Sequence, residues 1–128
     1  MGSSYTDFRD LVAYKKAFLQ GCLIFEMTMD FPKTEQYSLT DQIRRSSRSI
    51  CANIAEAYRK RDYHKHFLLK LTDCLGENSE TLVWLDFALQ CKYINTEVYT
   101  KNAELNSEVG KLLPHMYNHP EKYGVAPL

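Results

Sequence analysis

Residues 32–61 read PKTEQYSLTDQIRRSSRSICANIAEAYRKR, and the fold turns on how this stretch is built. Pro32 lacks an N–H and its ring clashes with a preceding helical turn, so a first helix closes near Phe31. PKTEQY is then a connection. Ser38 or Thr40 offers an oxygen to the orphan amides of a second helix, and Asp41 suits its positive first turn. From there Leu39, Ile43, Ser47, Ile50, Ile54 and Ala57 recur at steps of three and four, which is one helical face. Gln42, Ser46, Ser49, Asn53 and Glu56 form a polar stripe beside it, and Arg44, Arg48 and Arg59 a third. Small side chains from Ser46 to Ala55 let neighbouring helices approach closely. Two faces of this helix are fit for burial, more than a surface helix of a lone chain needs.

Working outward, the periodicity predicts three more helices. The first spans about 8–30, with Leu11, Tyr14, Phe18, Cys22, Phe25 and Met29 as its apolar stripe. Gly21 in its middle costs up to about 1 kcal/mol against Ala, so a close helix contact is expected there. The third spans about 62–91. Leu68, Leu71, Leu75, Asn78, Leu82, Leu85 and Leu89 make a heptad seam, widened by Phe67, Cys74, Thr81 and Ala88. Asn78 puts a polar group into that seam and needs a buried partner, while Gly76 again marks close approach. Trp84 and Phe87 lie off the seam and suit either a subunit interface or an adjacent helix. The fourth helix spans about 96–113, capped by Asn95 or Thr96 and ended by Pro114. Residues 114–128 read as an irregular tail. The fold class is therefore all-α: an up-down antiparallel four-helix bundle in one domain of 128 residues.

Charge sharpens the picture. Net charge is zero, which excludes a simple polycation. Residues 39–70 nevertheless hold eight Lys/Arg against three acids, and residues 71–128 hold four against eight. Such asymmetry steers charged partners or lets subunits meet with complementary signs. The candidate nucleic-acid-binding residues are Arg44, Arg45, Arg48, Arg59, Lys60 and Arg61, whose guanidinium and ammonium groups can meet phosphates. Arg59, Lys60 and Arg61 equally suit the negative end of the helix dipole.

Catalytic patterns fail one by one. No Glu has a His three positions later, so the di-iron pattern of helical bundles is missing. His115 and His119 stand four apart but lack a nearby acid or Cys set, so no metal is expected. The five glycines are scattered and form no phosphate loop. Ser46, Ser47 and Ser49 have no His within helical reach. Glu56 and Glu80, with Asn53 and Asn78, read as a structural polar network, since unpaired buried charge is very costly. Cys22, Cys51, Cys74 and Cys91 show no paired spacing and read as small hydrophobes of a reducing cytoplasm. No run approaches the roughly 20 apolar residues of a membrane span.

The run QIRRSSRSICANIAEAYRKR resembles the signature of the bacterial S23-type four-helix bundle proteins, named for reading frames within intervening sequences of 23S ribosomal RNA genes. The likeness extends upstream through Phe8, Leu11, Lys16, Ala17, Phe31, Pro32, Glu35, Tyr37 and Leu39. Downstream it runs through Gly76, Glu80, Leu85, Ala88, Leu89, Tyr93 and Ile94. Ala57 departs from the family's usual Gly, and Glu77 from its usual Ser. The resemblance implies a ring-like pentamer and no enzyme activity, and no cofactor is expected. The family is similar to the accessory protein of diversity-generating retroelements, which implies RNA or DNA and a protein such as a reverse transcriptase as partners. A protein-interaction scaffold without nucleic-acid contact is the alternative. Met1 to Thr6 match the short myristoylation pattern, which has meaning only in eukaryotes, so chance or a cloning remnant accounts for it.

Overall fold

A computed structural model describes residues 7–128, so the Met1–Thr6 pattern lies outside the described residues. Four helices form an antiparallel up-down bundle: α1 Val12–Thr28, α2 Leu39–Arg59, α3 His64–Gln90 and α4 Thr96–Asn118. α2 packs on α1 and α3, and α4 on the same two, which leaves α1 and α3 on one diagonal.

Each helix end has a local cause, and several differ from the sequence expectation. The first helix begins at Val12 rather than near Phe8, because Leu11 adopts extended backbone. The preceding Phe8–Asp10 is a separate 3-10 turn, closed by a reciprocal capping box between Asp7 and Asp10. Ser38 is the N-cap of α2 but its hydroxyl makes no cap bond. Instead the Leu39 amide donates to Glu35 Oε1 at 3.2 Å. Asn95 caps α4 through its side chain, accepting from the Val98 amide at 2.8 Å.

Pro114 does not end α4. The helix carries it internally and continues to Asn118, followed by a 3-10 turn at Pro120–Tyr123. Val125 then docks among Phe67, Leu71, Leu113 and Met116, so the tail closes one end of the core rather than trailing from it. The ring clash and missing bond of an internal proline cost about 3 kcal/mol, and the buried Met116 and docked Val125 beyond it are the offsetting contacts.

The core falls into two apolar clusters separated by a polar layer. The larger holds Leu11, Ala17, Ile50, Ile54, Phe67, Leu71, Cys74, Val109, Leu113 and Met116. The smaller holds Ile24, Phe31, Leu39, Ile43, Leu85, Ala88 and Ile94. Between them all four helices contribute buried polar side chains: Gln20, Ser46 and Ser47, Asn78 and Thr81, Asn102 and Asn106. Asn106 Nδ2 donates to Gln20 Oε1 at 3.1 Å, and to the carbonyl and Oδ1 of Asn78 at 2.8 and 3.1 Å. Asn78 Nδ2 returns a bond to the Asn106 carbonyl at 3.0 Å. Gly110 permits this approach, because a Cβ there would sit 3.2 Å from Asn78 Nδ2. The layer pins α1, α3 and α4 at one height, with Gln20 level with Asn78.

Of the apolar stripe expected to anchor α1 in the core, Leu11 is buried there and Tyr14 packs against it, but the rest lies on the opposite face. The buried positions within α1 are Ala13, Ala17, Gln20, Ile24 and Thr28, while Phe18, Phe25 and Met29 are 53%, 43% and 65% exposed. Ala13, Ala17 and Thr28 on the inner face let α1 sit close to α2 and α4, and the aromatic stripe is turned outward. Gly21 and Gly76, expected at close helix contacts, both face open space.

Candidate nucleic-acid interface

The six basic residues nominated from sequence divide into two groups. Arg44 and Arg61 are engaged inside the fold. Arg44 Nε donates to Thr28 Oγ1 at 2.7 Å and its guanidinium lies 4.8 Å from the centre of the Phe25 ring, which ties α2 to the end of α1. Arg61 stacks over Tyr58 at 3.7 Å and donates to the Tyr58 and Tyr123 carbonyls at 3.0 and 3.3 Å. Its own carbonyl accepts from the Ala126 amide at 2.8 Å. Arg61 is thus the clamp that holds the tail against the bundle, a role invisible without the long-range fold. Arg61→Ala is expected to cost about 1–2 kcal/mol and to speed amide exchange at Ala126. Unchanged exchange there would show that the guanidinium does not secure the tail.

Arg45, Arg48, Arg59 and Lys60 form the second group. None of their side chains makes a hydrogen bond or ion pair with another described residue; Arg48 only faces the Phe25 ring, 5.8 Å from its centre. Asp41, Arg45, Arg48, Ala52, Glu56 and Arg59 follow one another along the outer ridge of α2 and are all exposed. Glu56, the acid in the middle, is neutralised by Lys70 of α3 at 2.6 Å. The net field of the ridge is therefore positive, and its guanidinium groups stand free to take phosphate oxygens in forked pairs.

The four residues nominated for a structural network occupy three places. Asn53 and Glu56 share Lys70, with Asn53 Oδ1 3.5 Å from Nζ. Asn78 belongs to the central polar layer with Gln20 and Asn106. Glu80 accepts from Trp84 Nε1 at 3.2 Å on the outer side of α3. Gln20 and Asn106 were missed in the sequence because each reads as a polar interruption of a helix; only their matching heights on three helices mark them.

Acidic charge gathers beside Glu80. Burial, and then Glu80 itself, push the Glu77 carboxyl above its usual range, with Arg45 opposing and Asp73 adding to the rise. Burial raises the Cys51 thiol to about 11 and the Cys74 thiol to about 12, so both are protonated at neutral pH and are poor nucleophiles. His115 Nδ1 pairs with the Tyr123 hydroxyl at 2.9 Å, and no group of three or more metal-ligating side chains converges among the described residues. No helix among the described residues is long and apolar enough to cross a membrane.

Fold and surface together define a class: an antiparallel four-helix bundle with a basic ridge on its second helix. The model of the 23S rRNA-intervening sequence protein family matches residues 9–115, and the chain belongs to that family. Its fold is similar to the crystal structure of a protein of unknown function from the S23 ribosomal protein family of Bacteroides thetaiotaomicron. That likeness has a TM-score of 0.73 at 28% identity, covering 83% of this chain and 98% of the other. No curated protein matches the chain.

Proposed function

We propose that this protein is a non-enzymatic, self-assembling helical-bundle accessory module that associates with RNA or DNA through the outer ridge of α2. One observation carries the reading: the side chains of Arg45, Arg48, Arg59 and Lys60 make no hydrogen bond or ion pair with another described residue. Phosphate binding needs such unengaged cations, and each one that displaces a counterion adds affinity. A single copy offers a short, weak patch. Repetition of the ridge around an assembly converts weak contacts into avidity, provided that one strand can reach several copies. The pentameric ring of the family resemblance suits that geometry. Protein partners in such an assembly would include an enzyme that acts on nucleic acid, such as a reverse transcriptase.

Fluorescence polarisation with labelled RNA and DNA at two salt concentrations tests this reading. Binding at low salt that weakens steeply with salt is expected. Arg45→Glu/Arg59→Glu/Lys60→Glu should abolish it. In the single variants, every duplex phosphate that is no longer neutralised should lower the salt slope by roughly 0.9. Absence of binding at low salt, or binding untouched by the triple reversal, contradicts it.

A second reading, a protein-interaction scaffold without nucleic acid, is favoured by the aromatic ridge of α1. Phe18, Phe25 and Met29 follow one another along that face, each more than two-fifths exposed. Retention of a protein partner after nuclease treatment, with no polarisation signal, would favour it.

A further inference from the structure

Two outward ridges lie on diagonal helices and have the same spacing. On α1 the ridge is Lys15, Phe18, Cys22, Phe25 and Met29; on α3 it is Asp73, Gly76, Glu80, Val83 and Phe87. Both run in steps of three, four, three and four, which is the repeat that lets two helices interlock. The central polar layer sets Gln20 level with Asn78 through Asn106. Because α1 and α3 point the same way, each ridge residue on α1 is therefore level with one on α3. Lys15 is level with Asp73, Phe18 with Gly76, Cys22 with Glu80, Phe25 with Val83, and Met29 with Phe87.

We infer that these ridges are the two halves of one contact between copies, the α1 ridge of one chain docking in parallel against the α3 ridge of the next. The inference rests on the self-assembly proposed above and names its surfaces. Within one chain the ridges cannot meet, since α1 and α3 are separated by α2 and α4. In a ring whose axis runs along the bundle, rotation keeps every residue at its own height, so level partners meet. Their chemistry is complementary at four of the five levels, and at the fifth Glu80 meets Cys22 beside Arg48.

Lys15 faces Asp73, whose ion pair within its own chain, to Lys70, is a long one of 3.7 Å. Phe18, half exposed, meets the open space over Gly76, where no atom lies within 4 Å of a would-be Cβ. Phe25 and Met29 meet Val83 and Phe87, which are 46% and 53% exposed. The groove beside Phe18, Gly21, Cys22 and Phe25 has a volume of about 640 Å³ and is flanked by Arg48. Glu80 enters it from the neighbour and finds Arg48 there beside the groove's own Glu26, which leaves Arg45, Arg59 and Lys60 to meet phosphate. Two different surfaces per chain make the contact head-to-tail, the kind that closes rings.

The level pair Cys22–Glu80 supplies the test. Glu80→Cys in the full chain, with Cys91→Ser to remove an exposed thiol, is treated with diamide and run on a non-reducing gel. A ladder of covalent species beyond the dimer, abolished by adding Cys22→Ser, is expected. No crosslink, or a dimer and nothing larger, overturns the inference. If the protein is at the same time multimeric by light scattering, self-assembly stands and only these surfaces are wrong; if the untreated protein is a single chain, both fall. Gly76→Trp gives an independent reading, since its open site tolerates a side chain within one chain. It should shift the assembly to single-chain mass while the far-ultraviolet helix signal is kept, and an unshifted mass contradicts the seat proposed for Phe18.

Discussion

Asn106→Leu is expected to destabilise the folded chain by about 3 kcal/mol, more than its modest change in volume suggests. Asn106 is the hub of the central layer: its amide serves Gln20 Oε1 and two oxygens of Asn78. The leucine leaves Gln20 without any partner, since its Nε2 already has none. A wholly unsatisfied buried amide gives up its water and receives nothing in return, at roughly 1–3 kcal/mol for each group. Gln20→Leu alone should be close to neutral, because Asn106 keeps both Asn78 acceptors and the orphaned Nε2 disappears. In the double variant, Gln20→Leu should therefore recover part of the Asn106→Leu destabilisation, a coupling of about 1–2 kcal/mol. Denaturant unfolding of the four proteins checks the cycle. A cost below about 1 kcal/mol for Asn106→Leu, or strict additivity, would mean that the layer is not a coupled unit.

Phe67→Ala should cost roughly 3–5 kcal/mol and lower the melting temperature by about 10 °C or more. Phe67 is fully buried in the larger cluster, near the start of α3, with the tail's Val125 in the same cluster. Its removal opens a cavity ringed by residues from α1, α2, α4 and the tail, and rigid helices cannot collapse to fill it. Marginal domains hold about 5–15 kcal/mol in total, so the variant sits near the limit of folding. Calorimetry measures the shift. A cost under about 1 kcal/mol would show that this end of the bundle is loosely packed or relaxes freely.

What could be read from the sequence follows from what periodicity encodes. Helix number, the connection at Pro32 and the buried face of α2 were legible, since Ile43, Ile50, Ile54 and Ala57 sit where their spacing places them. On α3 the fully buried column is Phe67, Cys74, Thr81 and Ala88 together with Leu71, Asn78 and Leu85. Leu68, Leu75, Leu82 and Leu89 are only half-buried, so the seam is rotated from a pure leucine stripe. On α1 the period was right, and beyond Leu11 and Tyr14 the direction was wrong. An apolar stripe marks a helix face but does not say whether the chain itself or another copy covers it. Pro114 misled for a related reason: local strain predicts a break, and tertiary contacts beyond it override the prediction.

The basic patch was legible as composition and not as geometry. Arg44 and Arg61 look like Arg45 and Arg59 in the sequence, yet they are held by Thr28 and Tyr58, partners that no spacing rule reveals. The central layer was legible only at Asn78, whose polar character inside a heptad seam demanded a partner. Its answering residues, Gln20 and Asn106, lie 58 and 28 positions away in sequence.

Self-assembly requires that other copies of the chain cover the outward faces of α1 and α3. Light scattering on the purified protein at micromolar concentration tests this most directly. A single species with a mass several times the 14.9 kDa of one chain is the expected result. A monodisperse solution at the mass of one chain would contradict it.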